Sequence, residues 1–278
     1  MGEPPKIDRL FDSIDDGLMS LLGRIARRSS PFSLTGRLIR LPLRLVPRSA
    51  VVPVLSGINR GMRWVAGSAS TNGSWIGTYE VDHIAALAQF VRPGAVVYDV
   101  GANVGYYTLA LSTLVGDSGH VYCFEPDARN AFMLRRHIQM NNLRNVTFVQ
   151  AAVSRSSGLV GFGGRGEGAK ISSESSYLLP SISLDSFLAV GNPSPSFIKI
   201  DIEGGECDAL AGAVSILSKG KAVWMLATHG PSLRLRCCEF MANFGYRYVG
   251  FDGISDPGEA ADFIAIPASF DRSKPNQA

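Results

Sequence analysis

The sequence predicts an α/β fold, with a doubly wound and mostly parallel sheet covered by helices on both faces. Three observations carry this expectation. Apolar runs of strand length recur from residue 95 onward, helical patterns separate most of them, and the first run ends in a glycine-rich turn spaced D-x-G-x-N-x-G. Continuous apolar strands alternating with helices imply parallel pairing, because such strands are buried on both faces. At 278 residues, 46% hydrophobic and 18% charged, the chain can bury one large domain with an elaborated end. No apolar stretch approaches the roughly 18 residues of a membrane span. The opening Met1-Gly2-Glu3-Pro4-Pro5 lacks the basic and apolar segments of a secretory leader. The four cysteines, at 123, 207, 237 and 238, form no C-x-x-C pair. They read as idle thiols in a reducing compartment, so a cytoplasmic location is expected.

Three regions follow in order. Residues 1–50 form a basic amphipathic arm. Ile7, Leu10, Phe11, Ile14, Leu18, Leu21, Leu22 and Ile25 recur at helical spacing, which predicts a helix over 7–28. Residues 17–79 hold nine arginines with no lysine and no acid, while the rest of the chain is mildly acidic. Such a sign change marks a segment that either packs on the core, its arginines snorkelling, or contacts an anionic membrane from the inner face. Residues 51–94 read as a small strand-rich cap followed by a helix over 80–91. Residues 95–270 form the core domain, with strands at 95–100, 120–125, 146–153, 197–202, 222–228, 246–251 and 262–267. Helices are expected at 105–115, 127–141, 205–218 and 232–243. The last two strands are joined by a loop too short for a crossover helix and should pair antiparallel. The Gly/Ser-rich stretch 155–180 reads as a flap or hairpin that, with the cap, shapes an acceptor pocket.

The chemistry concentrates at three strand ends. The first strand runs into Asp99-Val100-Gly101-Ala102-Asn103-Val104-Gly105. Glycines there let the backbone turn tightly and approach a ligand, and the helix that follows offers free N–H groups. An acid at the strand end disfavours a pyrophosphate but suits a cationic amino acid moiety such as that of S-adenosylmethionine. The second strand ends at Glu125, placed to accept from both ribose hydroxyls of an adenosine. The fourth core strand ends in Ile198-Lys199-Ile200-Asp201-Ile202-Glu203-Gly204-Gly205-Glu206, which sets Asp201 and Glu203 near the cofactor's reactive end, whereas Glu206 is expected only to favour a helix N-terminus. The fifth ends at His229, a candidate base. His83, His120 and His137 show no comparable placement and read as structural or surface residues.

The runs YDVGANVGYYTLAL, VYCFEPD, NNLRNVTFVQAAVS, SISLDSF and FIKIDIEGGECDAL, followed by the His229 strand, resemble the FkbM family of S-adenosylmethionine-dependent methyltransferases over about residues 75–251. Upstream, Trp75-Ile76-Gly77-Thr78-Tyr79-Glu80 fits the family's approach to its domain. The resemblance implies a class I methyltransferase fold, Rossmann-like, with seven strands and the last antiparallel. It implies O-methylation of a sugar, polyketide or lipid-linked hydroxyl. It also implies a cofactor site at Glu80, Asp99, Gly101, Asn103, Gly105, Thr108, Glu125, Ala152 and Asp201, with catalysis at His229, Asp201 and Glu203. Ala227 stands where the family commonly carries an acid, and no metal site is expected. An NAD-dependent oxidoreductase or epimerase, and a non-catalytic membrane-associated scaffold, are the alternative readings. Nucleic acid is not an expected partner, because the core is net acidic and the arm lacks lysine.

Overall fold

The computed structural model describes residues 45–164, 170–172, 175–251 and 255–270. The helix expected over 7–28 and the arginines from Arg24 to Arg44 lie outside them. What is described of the arm's end packs on the cap: Ala66 and Gly67 donate their N–H groups to Ala50 and Arg48 carbonyls at 2.9 and 2.7 Å. The cap is an antiparallel pair, β1 (Val51–Pro53) and β2 (Arg63–Val65), followed by α1 (Gly73–Ile76). It is held by a buried cluster that includes Trp64, Trp75 and Val104. Helix α2 (Val81–Phe90) then leads into the core.

The core alternates as its apolar periodicity requires: β3 (Val96–Val100), α3 (Tyr106–Val115), β4 (His120–Phe124), α4 (Ala128–Met140) and β5 (Val146–Val149). A second, smaller sheet follows, formed by β6 (Ala152–Val153), β7 (Gly158–Gly163), β8 (Lys170–Ile171) and β9 (Leu178–Ile182). The chain re-enters the core through α5 (Leu184–Ala189), β10 (Phe197–Ile200), α6 (Glu206–Ala211), α7 (Val214–Lys219), β11 (Val223–Ala227), α8 (Pro231–Ala242), β12 (Tyr246–Val249) and β13 (Asp262–Pro267). The main sheet has seven strands in the order β12-β13-β11-β10-β3-β4-β5. Only β13 runs against its neighbours, β11 and β12, as the short connection before it requires.

Both faces of the sheet are covered. In-register Tyr98, Ile198 and Trp224 point to one side, and Val97, Phe197 and Val223 to the other. Each is essentially fully buried, and each burial is worth about 1.5–3 kcal/mol for an aliphatic or Phe-sized side chain. Helix starts are fixed locally. Asp127 accepts the N–H groups of Arg129 and Asn130 at the head of α4, and Ser183 accepts that of Ser186 at the head of α5.

Two expected elements are each divided. The run 146–153 is two strands, because β5 is the edge of the main sheet and the chain leaves it to pair β6 with β9. The helix expected over 205–218 breaks after α6. There the Ser154 carbonyl approaches Gly212 so closely that a Cβ would lie 2.2 Å from it. Asp185 then restarts the helix by accepting the Ser215 N–H at 2.9 Å. Among the described residues no helix is long and apolar enough to cross a membrane.

Candidate active site

The chain winds outward from β3 to β4 and β5, then returns to the other side of β3 as β10. Loops after β3 and β10 therefore diverge, and a crevice opens at the carboxyl ends of the strands, where open α/β sheets bind ligands. Its volume is about 300 Å³. Gly101 makes the divergence tight. Its φ is +78°, and a Cβ there would sit 1.9 Å from the Asp201 carbonyl, so no other residue fits between the two strand ends.

Gly101, Asn103, Glu125, Ala152, Asp201 and Glu203 line the crevice. The loop after β2 adds Ser68 and Thr71 to the lining, and the flap sheet adds Phe162 and Lys170. Cap and flap thus both shape the cavity. Glu125 is buried, and its two oxygens accept the N–H groups of Asn103 and Asp127, each at 2.8 Å. Burial pushes its carboxyl up to about 7 despite those two donors. A carboxylate oxygen has two lone-pair directions, so each still has one to offer a ligand.

Other expected cofactor residues stand behind this wall. Asp99 and Thr108 are both fully buried, and the Thr108 hydroxyl donates to Asp99 Oδ2 at 2.6 Å. A protein cation faces Asp99: the Lys199 Nζ lies 3.7 Å from Asp99 Oδ1. Burial raises the Asp99 carboxyl, and the Lys199 ammonium pulls it back. Gly105 opens α3 with φ +98°, packed against Leu134. Glu80 precedes α2 and accepts the Tyr107 hydroxyl. Of the four non-glycine residues with positive φ among the described residues, Glu80, Asn103 and Glu203 are candidate site residues. Backbone strain of this kind persists where surrounding structure enforces it, often at functional sites.

Lys199 went unassigned in the sequence, although a charge inside the apolar strand Phe197–Ile200 is itself a signal. Its Nζ donates to the Gly101 carbonyl at 2.9 Å, lies 3.5 Å from Asp201 Oδ2, and sits over the Tyr107 ring. Burial would lower its pKa, but the Asp201 and Asp99 carboxylates outweigh that and raise it.

His229, Asp201 and Glu203 are brought together as expected. His229 Nε2 lies 3.3 Å from Glu203 Oε2 and 3.8 Å from Asp201 Oδ1. Its Nδ1 lies 3.0 Å from Oε1 of Glu206, which is wholly buried. Burial lowers the imidazole pKa, but the Glu206 hydrogen bond and the surrounding acids outweigh it and raise it above the ordinary value. Glu206 does more than favour a helix start, because it orients this ring. Asp201, Glu203 and His229 offer one ligand atom each within 4.8 Å of one another, a set able to reach one metal ion.

The sequence profile of the methyltransferase FkbM domain matches residues 99–248. The chain is 29% identical over 143 residues to the hexuronic acid methyltransferase AglP of Haloferax volcanii, a match covering 50% of this chain and 58% of that one. It is 37% identical over 59 residues to a protein-L-isoaspartate O-methyltransferase of Methanothrix thermoacetophila, covering 21% and 28%. The chain therefore spans well under two thirds of either relative's length. Among solved structures it is similar to a methyltransferase FkbM from Methylobacillus flagellatus KT, with 18% identity, a TM-score of 0.46, and coverage of 72% of this chain and 56% of that one.

Proposed function

The chain belongs to the methyltransferase FkbM family, and from that premise we propose that it is an S-adenosylmethionine-dependent O-methyltransferase acting on a carbohydrate or related hydroxyl. The observation that carries the reading is Glu125, held by two backbone N–H groups in the crevice lining with lone pairs left for a ribose diol. The crevice beside it, about 300 Å³ and lined by Gly101, Asn103 and Ala152, has room for an adenosine, so the residues fit the cofactor. When bound, S-adenosylmethionine supplies a methyl group whose carbon–sulfur bond breaks as the new oxygen–carbon bond forms, leaving a neutral thioether.

The chain's own task is alignment and proton management. Positioning alone can remove several kcal/mol of barrier. A sugar hydroxyl is a weak nucleophile, and Asp201 in the crevice lining, or His229 beside it, relieves it of its proton. Lys199 holds Asp201 and the Gly101 carbonyl in place. The hexuronic acid relative supports a carbohydrate acceptor. In this reading residues 95–270 carry the reaction and 51–94 cap the crevice. The arginine-rich arm, 1–50, holds the enzyme against an anionic membrane. Equal co-sedimentation with anionic vesicles by the full chain and by a form lacking residues 1–50 would remove the membrane role.

Isothermal titration with S-adenosylhomocysteine tests the main reading. One site per chain is expected, with no heat from NAD. The reverse result overturns the cofactor assignment, and labelled methyl donor incubated with a glycan-containing extract then identifies the acceptor.

A further inference from the structure

We propose that Cys207 and Cys237 form a redox modification site, joining as a reversible disulfide on exposure to peroxide, and that the bond acts on His229 through Glu206. The bond stands apart from the methyl-transfer reading above, and only its meaning for catalysis rests on that reading. The two cysteines lie on α6 and α8, which pack together and bring the sulfurs, 30 residues apart in sequence, to 3.1 Å. A disulfide holds its sulfurs at about 2.05 Å, so about 1 Å of movement remains. No C-x-x-C spacing announces this pair, since it forms between two helices rather than within one turn.

The two thiols are unequal, and redox-sensing pairs join an accessible cysteine with a resolving one beside it. Cys237 is wholly buried in the main core cluster, and burial pushes its pKa well above the ordinary thiol range. Cys207 is only partly buried, so a small oxidant reaches it first. Its thiol donates to the Leu233 carbonyl at 3.8 Å, which leaves its sulfur lone pairs for the Cys237 proton. As the thiolate, Cys207 attacks the peroxide and breaks the O–O bond. It becomes a sulfenic acid, and the departing hydroxide takes up the thiol's proton as one water. The Cys237 sulfur then displaces the hydroxyl from Cys207, and its own proton leaves with that hydroxyl as a second water. Two thiols and one peroxide thus give one disulfide and two waters, the sulfurs being oxidised and the peroxide oxygens reduced. Exchange with a reducing dithiol restores the pair.

The residue before Cys207 gives the bond its consequence. Glu206 is wholly buried, and its Oε1 lies 3.0 Å from His229 Nδ1 while accepting the N–H groups of Ile202 and Gly204 at 3.3 and 3.1 Å. Cys237 is anchored, because it forms the buried face of α8 together with Leu233 and Met241. Cys207 instead follows a turn in which Glu203 and Gly204 both have positive φ, +57° and +104°. The start of α6 therefore makes the movement, and Glu206 goes with it. Its hydrogen bond to His229 lengthens, and the imidazole loses its fixed orientation.

The test treats the full-length protein with hydrogen peroxide, blocks the remaining thiols and maps the tryptic peptides by mass spectrometry. A disulfide joining peptides 200–219 and 237–247 is expected. It should persist in Cys238→Ala, altered about 100° round the same helix, and vanish in Cys237→Ala and in Cys207→Ala. On oxidation the His229 ring resonances should shift in wild type and not in Cys207→Ala, while those of His137 stay in place. No linked peptide, or one that survives Cys237→Ala, overturns the bond. Unmoved His229 resonances in the linked protein overturn its action on the site. S-adenosylhomocysteine binding is measured on the reduced protein. Its loss there would count against the cofactor reading, leaving the peptide map to decide this one.

Discussion

Two imidazoles in this molecule occupy opposite electrostatic worlds. His137, on α4, is wholly buried. Its Nδ1 donates to the Val104 carbonyl at 2.7 Å, its Nε2 accepts the Val65 N–H at 3.0 Å, and its ring stacks on Trp64. Both ring nitrogens are matched by neutral backbone partners, so the group ties β2 of the cap to the turn after β3. His229 sits among Asp201, Glu203 and Glu206 with about one third of its side chain exposed, and Glu206 Oε2 is buried without a hydrogen bond among the described residues. Burying a polar group without a partner costs free energy. The two rings differ in the charge of their partners: neutral backbone groups hold His137, and carboxylates surround His229.

That contrast can be broken from either side. The largest expected effect is at the rim: Asp201→Asn should lower turnover by about 10²–10⁴ while S-adenosylhomocysteine affinity stays within a few fold. A rate near wild type would remove Asp201 from the chemistry. Next is Lys199→Met, which leaves Asp99 buried without its cation. Breaking such a pair costs about 3–5 kcal/mol, readable as a lower urea midpoint. His137→Phe should cost about 2–4 kcal/mol, because the Val104 carbonyl and Val65 N–H lose their partners. The rate per folded molecule should not change, and a specific loss of rate would deny the joint its purely structural role.

The sharpest form of the comparison is a pH titration. Burial holds the His137 pKa down at about 4, although the Val104 carbonyl pulls it upward. An unfolded histidine takes up its proton near 6.5. This contribution to stability is therefore whole above about 6.5 and lost as pH falls toward 4, by up to about 3 kcal/mol. Chemical denaturation across that window should show the loss in wild type and not in His137→Phe. The smallest effect is at Glu125. Its carboxyl ionises near 7, so cofactor affinity should rise as pH climbs through that value. Glu125→Gln should weaken affinity by about tenfold and flatten the dependence, as calorimetry at pH 6 and 8 would register.

Much of this was legible in the residue order. The sheet's apolar strands, the antiparallel last strand, the flap, and the convergence of Asp201, Glu203 and His229 follow from periodicity, loop length and the rule that ligands lie at strand ends. The division of the helix over 205–218 was not. Gly212 is an ordinary helix position until the Ser154 carbonyl, 58 residues earlier, comes against it. Nor was the partner of Asp99. A carboxylate at a strand end reads as a ligand contact until β10 sets Lys199 beside it across the parallel register Asp99–Lys199.

By itself, the order of residues determined which segments are strands and helices, how they wind, and which acids stand at the strand ends, because these depend on period, turn chemistry and near neighbours. Only the tertiary structure decided which charges spend themselves on one another and which remain for a ligand. Electrostatic partnership depends on distances of 3 to 4 Å between groups far apart in the chain, and on burial that strengthens some pairs and strands others. Lys199 was claimed by Asp99, His229 was oriented by Glu206, and Glu125 was left with open lone pairs.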